Sequence, residues 1–177
     1  MDKLIKKKTL FRVIITLAII LITQLKIIEY YGELSSCLIL ILLIFDLFEK
    51  NHSNHLKPEL VYYSSWVIIG LSTFSIRGSY IGPYTSIFLI FVIKLTTLVF
   101  YYLKYKSLLV TRTLLSKFCL VTIALYFIEL LSNSTHGFSH ITLFWTKIAS
   151  IELFIILIIK KKRIKYQLFF LDFLWKK

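Results

Sequence analysis

The sequence predicts an all-α fold: a polytopic membrane helix bundle of six transmembrane helices, both termini on the cytoplasmic side, and a short C-terminal interfacial helix. Three observations predict it. At 58% hydrophobic residues and a mean hydropathy of +0.78, the chain has more apolar side chain than one water-soluble core of 177 residues needs to hide. Its charges cluster between six apolar stretches instead of spreading along them. Its Lys and Arg residues follow a strict alternation from one inter-helix segment to the next, as derived below.

Taken in order, the first span covers 9–28, after the basic start MDKLIKKK. It has the first two regions of a signal peptide but no small-x-small cleavage site, so it reads as a retained signal anchor. The second, 31–48, has an apolar part of about fifteen residues, short of the usual span of about twenty. The segment DLFEKNHSNHLKPE then reads as a polar loop holding Asp46, Glu49, His52 and His55, without a metal-ligand spacing. The third span, 60–76, is rich in hydroxyls (Ser64, Ser65, Ser72, Thr73, Ser75) and contains Gly70, the composition of a helix packed inside a bundle. The fourth, 84–103, opens after Pro83 and leaves the membrane at Tyr101, Tyr102 and Tyr105. The fifth and sixth cover 114–131 and 141–159, followed by KKKRIK and the tail 164–177, an apolar segment too short to cross again. The whole chain is one membrane domain.

With six crossings and an internal N-terminus, eighteen of the 22 Lys and Arg residues fall on the inner side. Lys26 and Arg77 flank the outer side, and Lys94 and Lys147 lie within spans. Arg12 is counted here with the inner basic flank. This is the bias that keeps basic segments cytoplasmic. It requires the short second span to cross. The formal net charge of +13 is accounted for by this topology and by attraction to anionic lipid head groups. No nucleic-acid partner is implied, because the basic residues border apolar runs instead of decorating an amphipathic fold.

Charges inside spans are the candidate functional residues. Lys94 in the fourth span and Glu152 in the sixth lie at matched depth if each helix is counted from its outer end, and Glu129 and Lys147 form a second layer. Either the four are ion pairs that fix the bundle, or they form a polar relay lined by Ser72, Thr73, Thr96 and Thr97. His136 and His140, close to Glu129, supply the residue types of a metal site, weakened by Gly137 between them. Cys37 and Cys119 lie in apolar stretches and read as buried small hydrophobes. There is no nucleophile elbow, no H-E-x-x-H and no phosphate-binding glycine loop, and no cofactor is expected.

Three function classes follow. The first is a non-enzymatic protein working by lateral contact with another membrane protein, as an accessory subunit or a toxin-immunity factor. The second is a small ion or solute transporter centred on Lys94 and Glu152, against which stands the scarcity of Gly and Pro inside the spans. The third is an enzyme acting on a lipid-linked substrate. In general character the chain resembles plasmid-borne immunity proteins against pore-forming toxins, which are small, basic and multi-span, though no motif carries the likeness. The bacterial inner membrane is the expected location and an organellar membrane the alternative.

Overall fold

The computed structural model describes residues 2–25, 30–48, 56–76, 81–105, 113–132, 134 and 137–159. Among them are six helices: α1 (Asp2–Leu25), α2 (Tyr31–Phe48), α3 (Leu56–Ile76), α4 (Ile81–Tyr105), α5 (Leu114–Leu131) and α6 (Phe138–Ile159). Three of them, α2, α5 and α6, are long and apolar enough to cross a membrane. Mean hydropathies of 1.9, 2.0 and 2.0 leave little polar surface to solvate on them. The tail 164–177 and the segment carrying His52 and His55 lie outside the described residues.

Several helices start earlier than the hydropathy pattern predicts. In α3 and α4, Pro58 and Pro83 each stand third in the helix, where a backbone N–H has no intrahelical acceptor and its loss costs nothing. α6 begins at Phe138 directly after Gly137, whose φ of 88° is a left-handed conformation that only glycine adopts freely. Asp46 belongs to α2 and not to the loop that the polar run DLFEKNHSNHLKPE suggests. The reason is the buried partner described below, without which an acid so near an apolar helix end would mark the helix boundary.

Contacts between helices set their directions. Arg12 reaches Asp46, and Trp66 also bonds Asp46, whereas Thr23 meets Ser72 farther along both chains; α1 and α3 are therefore parallel. Leu47 meets Lys117 and Gly32 meets Leu131, so α2 and α5 are antiparallel. From Thr113–Glu152 through Cys119–Thr146 and Thr122–Thr142 to Glu129–Phe138, α5 and α6 hold one antiparallel register over their whole length. Phe100 packs edge-on against Phe154 at 5.2 Å between centroids, and Lys104 reaches Leu157, which makes α4 and α6 parallel. The three odd helices thus run one way and the three even helices the other.

α5 is the axis. It packs against α6, α2 and α3, buries Cys119, Ala124, Tyr126, Phe127, Leu130 and Leu131, and exposes only Phe118 among its large apolar residues. α6 meets it with the small residues Thr142, Thr146, Ala149 and Ser150, all buried, and small side chains let two helix backbones approach closely. Thr142 donates to the Thr122 carbonyl at 2.9 Å, and the Cys119 thiol meets the Thr146 hydroxyl at 3.4 Å. The hydroxyls of α3 serve packing in the same way. Ser65 and Thr73 bond back to carbonyls of their own helix at 2.7 and 2.8 Å.

At Gly32 the approach is to backbone: an added Cβ would stand 2.6 Å from the Leu131 carbonyl oxygen. Because that neighbour is backbone, it cannot rotate aside. Gly32→Ala should therefore lower stability by about 1–3 kcal/mol, read as a lower thermal midpoint of the detergent-solubilised protein, while Leu34→Ala, exposed nearby, stays near wild type. An unchanged midpoint for Gly32→Ala would rule out so close a packing of α2 on α5.

Candidate functional site

The most deeply buried charges are Arg12 and Asp46, which form an ion pair across α1 and α2. Asp46 uses its second oxygen to accept the Trp66 indole N–H at 2.8 Å, so α3 joins the same cluster. The Arg12 guanidinium lies 4.7 Å from the Tyr62 ring centroid and 5.9 Å from that of Phe45, within cation–π range. Charge, hydrogen bonds and ring faces together compensate a pair that would otherwise be too costly to desolvate. The sequence reading missed this cluster. The available signal was a pair of opposite charges, each flanked by apolar residues, on neighbouring helices, together with a tryptophan N–H that needs an acceptor when buried.

Glu152 and Glu129 are both buried, and each faces the start of the other's helix. Glu152 on α6 accepts the Thr113 hydroxyl at 2.5 Å. Thr113 is the N-cap of α5, and its Oγ1 also accepts the Ser116 backbone N–H at 3.1 Å, satisfying one of the orphan donors of that terminus. Glu129 on α5 accepts the backbone N–H of Phe138, the first residue of α6, at 3.1 Å. Neither α5 nor α6 has an acidic residue in its own first turn. The carboxylates that the positive ends of these helices favour are supplied reciprocally.

Lysines do the converse. Lys104 of α4 donates to the Leu157 carbonyl and Lys117 of α5 to the Leu47 carbonyl at 3.3 Å. Both acceptors lie in the last turn of α6 or α2, where carbonyls lack intrahelical partners. Neither α2 nor α6 has a basic residue in its last turn. Together with Arg12, Asp46, Trp66 and the Thr113–Glu152 bond, these contacts form a polar layer at one end of the bundle that links all six helices.

The expected Lys94–Glu152 and Glu129–Lys147 pairs are not formed. The α4–α6 register, Phe100 level with Phe154, puts Glu152 opposite about residue 98, four residues or about 6 Å along the axis from Lys94. Lys94 is half-buried and Lys147 exposed. Counting from the outer helix ends misjudged the depth because α4 and α6 are offset from each other.

Of the expected polar lining, Ser72 shares a 2.6 Å hydrogen bond with Thr23, beside Gln24, which donates to Ser75 at 2.6 Å. Thr73, Thr96 and Thr97 bond back to their own helices. These side chains do not meet in one seam. Thr96 is exposed, while Ser72 and Thr73 belong to the α1–α3 side. His136 lies outside the described residues, His140 is exposed, and no group of three His, Cys, Asp or Glu side chains stands together among the described residues. Cys119 is buried as expected, whereas Cys37 is exposed on α2.

Removing one member of the Arg12–Asp46 pair strands the other, so Asp46→Leu should cost about 3–5 kcal/mol and lower membrane abundance sharply. Arg12→Met combined with Asp46→Leu should recover most of it in the same abundance and thermal-melt measurements. A double variant as unstable as the single would show that the ring and indole contacts, not charge balance, hold the cluster. Comparison with protein-family models, curated proteins and solved structures returns no match to this chain.

Proposed function

We propose that the chain is a multi-pass integral membrane protein of the bacterial inner membrane that crosses six times with both termini in the cytoplasm. It works by lateral contact with another membrane component, as an accessory subunit or a toxin-immunity factor. The alternating direction of the six helices supports the topology, since six successive crossings require it. The charge bias of the inter-helix segments supports the orientation.

One observation carries the lateral-contact reading: apart from the hydroxyls of Ser35 and Ser150, the buried polar and charged side chains among the described residues are bonded within the bundle, while the outward faces are large and apolar. On α1 these are Leu10, Ile14, Leu17 and Leu21, and on α4 Phe88, Val92, Leu95, Val99 and Leu103, spaced at helical intervals and 40–68% exposed. A solute route would instead need polar groups kept available to its cargo. Glu152, Ser72, Thr73 and Thr97 are each committed to a bond inside the bundle.

Photo-crosslinking residues placed at Leu17, Leu95 and Ile151 in intact membranes test this. A discrete adduct is expected from one face and not from all three, and proteoliposomes carrying the chain should pass ions no faster than empty ones. Flux abolished by Lys94→Gln, with no discrete adduct at any position, would replace this reading with the transporter.

A further inference from the structure

Lys94 is a half-buried charge in the middle of α4 that the contacts above leave unused. Among the described residues it makes no hydrogen bond or ion pair. It lies on the inward face of α4, where Ile90, Thr97 and Tyr101, at spacings of four, three and seven from it, are 5%, 3% and 1% exposed. At 100° per residue this face lies between the side that meets α6, marked by Phe100 and Lys104, and the side that meets α3, marked by Phe91. An ammonium at this depth in an apolar helix is costly unless paired.

α3 and α4 follow each other in the chain yet are the least packed of the helix pairs that touch. Their contact is the Phe91 ring over Gly70. At the depth of Lys94, the antiparallel register of Phe91 with Gly70 places Val67 on α3, which is 40% exposed, and Leu95 next to Lys94 on α4 is 64% exposed. The seam therefore has apolar walls and a cation within it. Among the described residues whose side chains can be followed, no acid stands beside it. Asp46, Glu129 and Glu152 are each engaged elsewhere, and Glu33 lies in the first turn of α2.

We infer that the α3–α4 seam receives a transmembrane helix of a partner protein that carries one carboxylate at mid-depth, which pairs with Lys94. This deepens the lateral-contact reading and rests on it. The apolar walls match the body of such a helix, and Lys94 supplies charge complementarity that selects among helices. A second copy of this chain is a poor occupant, because its described acids are committed in the same way.

The test uses the full chain in nanodiscs of neutral phosphatidylcholine, titrated with a fluorescent poly-leucine transmembrane peptide bearing a central Glu, and with its Gln twin. The Glu peptide should associate about three- to thirtyfold more tightly, the range that interhelical polar contacts in membranes give. The preference should vanish in Lys94→Gln, survive in Lys94→Arg and pass to a Lys-bearing peptide in Lys94→Glu, with thermal melts confirming that each variant is folded. Equal association of the two peptides with the wild type, or a preference that persists in Lys94→Gln, overturns the assignment. A preference erased by adding anionic phosphatidylglycerol assigns Lys94 to lipid phosphate and overturns it too. Discrete crosslinks at Leu17 and Ile151, away from the seam, do not depend on Lys94. Their persistence after loss of the Glu preference would condemn the Lys94 assignment alone, and their absence the lateral-contact reading.

Discussion

The buried Arg12–Asp46 pair is the constraint on which the first half of the bundle depends. An isolated guanidinium or carboxylate at such low exposure would be strongly disfavoured, so α1 and α2 can settle only in the register that brings the two together. Trp66 then fixes α3 to the same carboxylate, and the rings of Tyr62 and Phe45 cover the guanidinium. Once α2 is held by Asp46, its last carbonyls lie where Lys117 can reach them. Through that contact the ordering passes to α5, around which the other half is built.

In the second half, helix termini take the part that opposite side-chain charges play in the first. A helix end carries about half an elementary charge in unpaired N–H or C=O groups. A glutamate can therefore be accommodated by the start of a neighbouring helix, and a lysine by the end of one. Glu129, Glu152, Lys104 and Lys117 all follow this rule.

How much of this was legible in the sequence differs by level. The helical class and the packing role of the buried α3 hydroxyls Ser65, Ser72 and Thr73 follow from composition and periodicity, which are local properties. The partners of the charges do not, because they depend on the relative axial offset of helices, and a four-residue offset is enough to separate Lys94 from Glu152. Arg12 and Asp46 were read as flank and loop because each lies near an end of its apolar run, where polar residues ordinarily face water. Only their juxtaposition shows that they face each other. Backbone groups are invisible as partners in a sequence, so the reciprocal capping by Glu129 and Glu152 had no residue-level signal beyond the missing acids in the first turns of α5 and α6.

The distribution of these contacts along the helix axes separates two kinds of charge within the bundle. Lys104, Lys117, Glu129 and Glu152 find partners at helix termini, where unpaired backbone groups reduce the cost of a charge, and Arg12, in the middle of α1, is carried by Asp46 near the end of α2. Lys94 has no terminus within reach, being thirteen residues from the start of α4 and eleven from its end. The device that resolves the other charges cannot resolve this one. A mid-helix cation must be compensated by a side chain or ligand at its own depth, and the described acids are engaged at the ends. The same packing that satisfies the rest of the bundle leaves a cation on the inward face of its least packed seam, and that asymmetry is what the proposed partner helix would meet.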